Sequence, residues 1–441
     1  MPLSLTVDQV ASLAPDAASL AAGKKLAAGR DWSNVGYDER ALWGECKGSA
    51  LYQVRVDLSD LAAKCSCPSR KFPCKHALGL LLKAAANPAA VATVDAPDWV
   101  ADWLARRGAA AEQKEKKKAD VANAPVDEQA QARRAQQRAK RVDEGIAALD
   151  LWLADMLRNG LGTLAEHHDQ SWERQAARLV DAQAPALATR VRRIGDIPRS
   201  TPDWTRRVLG ELGRVALLTE AYSRIDTLDD ALRDDVRALV GWSLKDEEVI
   251  ARGSAVDDRW LVIGQRVEDD DRLRVQRTWL LGLESERYAL VLQFAAGSAP
   301  FTESFVPGTL LRARVRYWPS AHASRALVEE RLGHLEPWTG QSTGYSGFDA
   351  LLEATTAALG AQPWVERVPC VVRDVRPARH AATGWHLVDA AGCALPLAAR
   401  DHRRLLAVSG GHPVHVAAEW DGDVLLPLAV MSGNSFERLS A

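Results

Sequence analysis

Three cysteines and a histidine fall within twelve residues, as Cys65-Ser66-Cys67, six intervening residues, and Cys74-Lys75-His76. Thiolate sulfur and imidazole nitrogen are ligands that zinc favours, and a Cys3His set fills a tetrahedral ion. The spacing can deliver all four. Residues i and i+2 of a strand share a face, so Cys65 and Cys67 address one ion, and Pro68 then ends the strand. Cys74 belongs in the turn after Pro73, with His76 in the first turn of a helix whose N-terminus favours thiolate. Four protein ligands leave no open coordination position. The expected chemistry is therefore structural: one zinc, contributing folding free energy on the order of 10 kcal/mol, and no activated water. An iron–sulfur cluster more usually takes four cysteines.

The elements that must position these ligands are legible on either side. Ala41–Cys46 and Leu51–Leu58 read as a hairpin, with Tyr52, Val54 and Val56 alternating with polar residues. After the ligands, Leu78, Leu81, Leu82 and Ala85 give a helical stripe that stops at Asn87-Pro88. Residues 5–28 read as helix with a break at Pro15.

This order, hairpin, Cys-x-Cys-x6-Cys-x-His and apolar helix, resembles the SWIM-type zinc finger. That family has a ββα arrangement and occurs in chromatin-remodelling helicases, Mutator-like transposases and many bacterial proteins. Cys65, Cys67, Cys74 and His76 match its four metal positions. The resemblance implies bound zinc and an interaction role toward DNA or protein, with no catalytic activity of the finger itself. Trp43-Gly44-Glu45-Cys46-Lys47-Gly48-Ser49, the stretch Cys67–His76, and Asp181-Ala182-Gln183-Ala184-Pro185 further resemble a bacterial family of SWIM-finger proteins of similar length. Its members are often encoded beside MoxR-type AAA+ ATPases and von Willebrand A-domain proteins, which implies one of these as a protein partner.

The rest of the chain bounds the setting. At 441 residues it should hold about three domains. Its 47% hydrophobic and 26% charged residues are ordinary for globular protein. No apolar run approaches a membrane span, and the N-terminus does not read as a secretory signal. Six cysteines are too few for a disulfide scaffold, so a reducing cytoplasm is expected. Net charge is −2, yet residues 61–94 carry Lys64, Arg70, Lys71, Lys75 and Lys83 with no acid, a local +5. Four of these offset the zinc thiolates, and all five could meet phosphates, with Trp43, Tyr52 or Phe72 stacking on bases.

Beyond the finger, Trp99, Trp103 and Leu104 suggest a short helix, and Gly108–Pro125 reads as a solvated linker. A long helix should start near Val126, with more to about Gly241 and breaks near Gly160-Leu161-Gly162, Pro185, Pro198 and Pro202. Strands are expected at Trp260–Arg266, Leu273–Leu281, Tyr288–Phe294, Leu310–Tyr317, Val368–Val375, Trp385–Val388, Val414–Trp420 and Val424–Val430. No sequence repeat is evident. His167-His168, and His412, His415 and Glu419, are weaker metal candidates that lack completing ligands.

The fold expected is an α+β multidomain chain. Residues 1–95 hold the ββα finger (core about 51–87), 96–126 a linker with a short helix, and 127–255 a helical domain. Residues 256–340 form an antiparallel β domain, and 341–441 a β-rich domain with a small barrel of the SH3-like or OB kind. The function expected is a non-enzymatic zinc-binding adaptor that docks a protein. The alternative is nucleic-acid binding through Lys64, Arg70, Lys71, Lys75 and Lys83.

Overall fold

Alternation in the finger hairpin sends side chains to two faces of a sheet, and both faces are covered. The computed structural model describes residues 5–122, 127–160, 168–200, 203–270, 273–297, 299–340 and 343–439. Its first sheet has the order β4-β3-β2-β1-β5, built from β1 (Trp32–Tyr37), β2 (Ala41–Lys47), β3 (Leu51–Asp57), β4 (Ala63–Cys65) and β5 (Ala92–Thr93). Leu42, Val54 and Val56 point to one face, where α3 (Lys75–Ala86) buries Leu80 and Leu81 against them. Ala41 and Trp43 point to the other, where α4 (Asp98–Ala122) packs Val100, Trp103 and Leu104. The helices α1 (Val7–Ala11) and α2 (Ala17–Ala28) pack on the outer side of α3. The crossing of α2 and α3 is close because a Cβ built on Gly23 would lie 2.9 Å from that of Leu78. Buried from both sides, α3 hides Leu78, Leu80, Leu81 and Leu82 together, more than the single stripe its sequence suggested.

The expected linker is different. Backbone helix runs through Gly108 to Ala122, because alanine, lysine and glutamate are strong helix formers even where no apolar face marks them. Of the expected linker, only 123–126 fall outside the described residues, and Val126, the expected helix start, is among them. The helix begins at Glu128, with the Asp127 side chain accepting from the Ala130 amide at 3.0 Å.

Five helices follow: α5 (Glu128–Asn159), α6 (His168–Asp181), α7 (Pro185–Ser200), α8 (Trp204–Ser223) and α9 (Asp230–Val240). They share a core of Leu149, Trp172, Leu179, Leu187, Ile194 and Val215 with their neighbours. Pro185 opens α7, a position where proline's missing N–H costs nothing. Pro198 does not break it; the helix continues to Ser200. Pro202, residues 161–167 of the glycine-rich break and His167 lie outside the described residues. No described helix is long and apolar enough to cross a membrane.

A short α10 (Asp246–Arg252) leads into β6 (Ala255–Asp270), β7 (Leu273–Gly282), β8 (Tyr288–Ala296), β9 (Thr309–Tyr317), β10 (Arg325–Arg331) and β11 (Glu336–Pro337). Strands β6, β7 and β8 form a meander, and β9 pairs with the other edge of β6. Strand β10 then joins β8 in parallel and β9 antiparallel, so the pairing closes on itself as β6-β7-β8-β10-β9. The last segment holds α11 (Phe348–Ala361), β12 (Val368–His380), β13 (Gly384–Val388), β14 (Ala394–Pro396), α12 (Arg403–Ser409), β15 (Val414–Trp420), β16 (Leu425–Ser432) and β17 (Ser435–Arg438). Here the sheet order is β14-β13-β12-β15-β16-β17, and the two sides meet at one parallel bridge, Leu397 to Leu425. The two β units thus repeat one connectivity, although their sequences show no repeat.

Strand β6 explains its own run of Trp260-Leu261-Val262-Ile263. Trp260 and Val262 belong to a core continuous with Leu42, Val54, Leu80 and Leu81 of the finger. Leu261 and Ile263 face Val371, Ala417 and Leu428 of the last unit. A strand covered on both faces is apolar at every position. At this second interface Glu419, 1% exposed, accepts from Trp279 Nε1 at 2.7 Å, Arg266 at 3.0 Å and Arg367 at 2.7 Å. Glu419 is therefore not a partner of His412 and His415; His415 Nδ1 instead lies 4.0 Å from Asp374.

Burial pushes the Glu419 carboxyl up, but Arg367, Trp279 and Arg277 outweigh it and hold it below the ordinary glutamate range. Its stabilising contribution is complete above the unfolded-state value and is lost as pH falls through the folded one. Glu419→Ala leaves Arg277 without its carboxylate and Arg266 and Arg367 with Glu268 alone, and should cost about 3 kcal/mol in urea unfolding at neutral pH. Glu419→Gln should retain more stability and flatten the loss of stability in acid. A Glu419→Ala variant as stable as the parent would remove this cluster from the account.

Candidate metal centre

Strand β4 ends at Cys65, so only the first cysteine is on the strand, and Cys67 sits in the bend beyond it. That bend is tied down: the Ser66 amide donates to the Gln53 carbonyl at 3.0 Å, and the Gln53 amide donates to Ser66 Oγ at 2.9 Å. Cys74 is the N-cap of α3, and its sulfur accepts from the Ala77 amide at 3.5 Å. His76 follows in the first turn.

Together Cys65, Cys67, Cys74 and His76 bring their ligand atoms within 4.8 Å of one another. Zinc–sulfur bonds of about 2.3 Å give a tetrahedron with edges of about 3.8 Å. The edge from Cys65 Sγ to His76 Nδ1 is 3.8 Å. The four residues are positioned to bind one zinc ion, and every coordination site of a tetrahedral ion is taken by protein.

The electrostatics suit a cation. The thiol of Cys65, hydrogen-bonded to Cys74 and partly desolvated, is pushed up. The same contact with Cys65, with amide donors at Ala77 and His76, holds Cys74 down to about 5. This favours the thiolate form of Cys74. Burial also lowers His76, which favours the neutral imidazole a metal needs. Tyr52 packs on His76 with ring centroids 4.7 Å apart, and its hydroxyl meets Ser49 Oγ at 2.6 Å. Tyr52, considered above for stacking on bases, is thus committed to holding the histidine ring.

The five expected contact cations are dispersed over several elements. Lys64 is on β4, Arg70 and Lys71 are on the loop before Cys74, and Lys75 and Lys83 lie at opposite ends of α3. Lys71 pairs with Asp16 at 2.9 Å. Trp43 is buried at 2% exposure, whereas Phe72 is 43% exposed. Sequence reasoning missed Arg55 and Arg107. Arg55 lies over Trp99 and Trp103, 5.2 Å and 5.8 Å from their centroids, and Arg107 bonds Asp57 at 2.5 Å and Asp60 at 2.6 Å. These contacts fasten α4 to the back of the finger. The four-residue spacing of Trp99 and Trp103 was the available signal, since it puts both rings on one helix face.

Comparison with known families agrees with this geometry. Residues 52–85 match the SWIM zinc finger, and residues 137–240 match the SWIM-associated four-helix bundle domain. The chain therefore carries a SWIM zinc finger and, beyond α4, the helical domain associated with it. No curated protein and no solved structure matches the chain.

One zinc per chain is expected by elemental analysis of the native protein, and Cys74→Ser or His76→Ala should lose it. Because Cys65 and Cys67 must shed protons to bind, affinity should fall as pH drops, with proton release on zinc addition. A chain that folds fully with no metal would contradict the assignment.

Proposed function

We propose that this chain is a non-enzymatic, cytoplasmic adaptor in which zinc shapes the loop Ser66–Pro73 into a docking knuckle for a protein. The observation that carries this reading is Phe72: a large apolar side chain, 43% exposed, on a loop bounded by the ligands Cys67 and Cys74. A loop pinned at both ends loses little conformational freedom on docking, so an aromatic anchor there retains more of its contact energy. Arg70 beside it suits an acidic rim on the partner. The partner class, a MoxR-type AAA+ ATPase or a von Willebrand A-domain protein, comes from the sequence resemblance.

The second reading is nucleic-acid binding. Its specific support is the strand order shared by the two β units, which is that of oligonucleotide-binding small barrels, and we read both units as barrels of that kind. It ranks second because Lys71 is engaged by Asp16, Tyr52 by His76, and Trp43 is buried.

The test is calorimetric titration of the zinc-loaded full chain with the MoxR-type ATPase and the von Willebrand A-domain protein of the same organism. Binding to one of them, weakened at least about tenfold by Phe72→Ala as for an interface anchor, is the expected result. Affinity for labelled DNA or RNA that falls steeply with salt and is lost in Lys64→Glu with Arg70→Glu, with no affinity for either protein, would replace the adaptor reading with the second.

A further inference from the structure

We propose that the cleft between the SWIM-associated helical domain and the C-terminal β unit binds a phosphorylated small molecule. The cleft has a volume of about 780 Å³, within the range of small-ligand pockets. Helices α7, α8 and α9 form one wall, and Glu366 with the turn Asp421-Gly422-Asp423 forms the other. Five arginines line it: Arg190, Arg193, Arg206, Arg207 and Arg214.

The acids that line the cleft do not exhaust these donors. Arg190 Nη2 bonds Glu366 at 2.7 Å, Arg214 bonds Glu211 at 2.5 Å, and Arg206 and Arg207 meet Asp423 at 3.1 Å and 3.2 Å. Among the described residues, two guanidinium nitrogens of the cleft remain buried with no hydrogen-bond acceptor, Arg190 Nη1 and Arg207 Nε. Arg190 is the more telling, since its side chain is only 9% exposed and its Nη1 has an ion pair with Glu211 at 3.7 Å but no hydrogen bond. A buried donor without an acceptor is costly, and an oxyanion relieves it. Phosphate suits the site because its oxygens accept from several planar guanidinium forks at once. Ile194, Ile197 and Leu239 supply an apolar side for the rest of the molecule. A ligand seated here touches both units and stabilises their mutual placement.

Position 210 offers a test that spares the arginines. Gly210 lines the cleft on α8, and a Cβ built there meets no atom within 4 Å. Gly210→Glu therefore places a carboxylate in the cleft without crowding the helix, where glutamate is also the better helix former. The zinc-loaded full chain would be titrated by calorimetry with inorganic pyrophosphate, a nucleoside diphosphate and succinate. Binding of at least one phosphate compound is expected, weakened at least about tenfold by Arg207→Gln, the loss of one charge-assisted hydrogen bond. Gly210→Glu should abolish it with no fall in unfolding temperature, while Gly210→Ala binds as the parent does. If Arg207→Gln fails to fold, the position-210 pair decides alone. The proposal is overturned if neither phosphate compound binds, if succinate binds equally well, or if Gly210→Glu leaves affinity unchanged. The arginines would then be only an ion-paired seam between the two units.

Discussion

The convergence of four ligands on one ion is the constraint on which the N-terminal half of the molecule depends. Cys65 ends a three-residue strand, Cys67 lies in a bend, and Cys74 with His76 starts a helix. None of these pieces is long enough to hold its place by backbone pairing alone. One zinc ion held by these four residues would join strand, bend and helix at a point. The apolar side chains of α3 then have one surface to fill, formed by Leu42, Val54 and Val56.

The finger is not a separate bead on the chain. Its core runs without interruption into Trp260, Val262, Leu280 and Leu311 of the first β unit. The Gln9 side-chain amide donates to the Gly308 carbonyl at 2.8 Å, which ties α1 to the same unit. Strand β6 faces the last β unit on its other side, at Leu261, Ile263 and the buried Glu419 cluster. At this contact a Cβ built on Gly264 would lie 2.6 Å from that of Leu428, so only glycine allows the approach. Packing therefore runs without a break from the finger core to β6 and from β6 to the C-terminal sheet. The helical domain joins separately, through Trp364, whose indole donates to the Arg214 carbonyl at 2.9 Å.

What the sequence disclosed, and what it hid, follows from the range of the interactions. Ligand chemistry is local and discrete, so Cys65, Cys67, Cys74 and His76 could be read from type and spacing alone. Alternation revealed β2 and β3, and the strands of both β units that bury alternate or continuous apolar runs. Strand β1 was missed because Trp32–Tyr37 mixes polar residues with a glycine, and its pairing with β2 is interrupted by a bulge. Strand β10 was missed because Arg325–Arg331 is mostly charged, yet it closes the first β unit by pairing with two neighbours. The helix beyond Gly108 was hidden because propensity without amphipathic period resembles a linker. Glu419 and the arginine-lined cleft draw on residues more than a hundred positions apart, and no local pattern announces such contacts.

The central claim is that zinc supports a core extending beyond the finger, and hydrogen exchange on the intact chain tests it most directly. Amide protection would be followed by mass spectrometry with zinc bound and after chelation. A continuous core predicts that β6, around Trp260–Ile263, loses protection together with β3 and α3 when the metal is removed. If β6 keeps its full protection while the finger amides exchange freely, the finger is an independent module and the account is wrong.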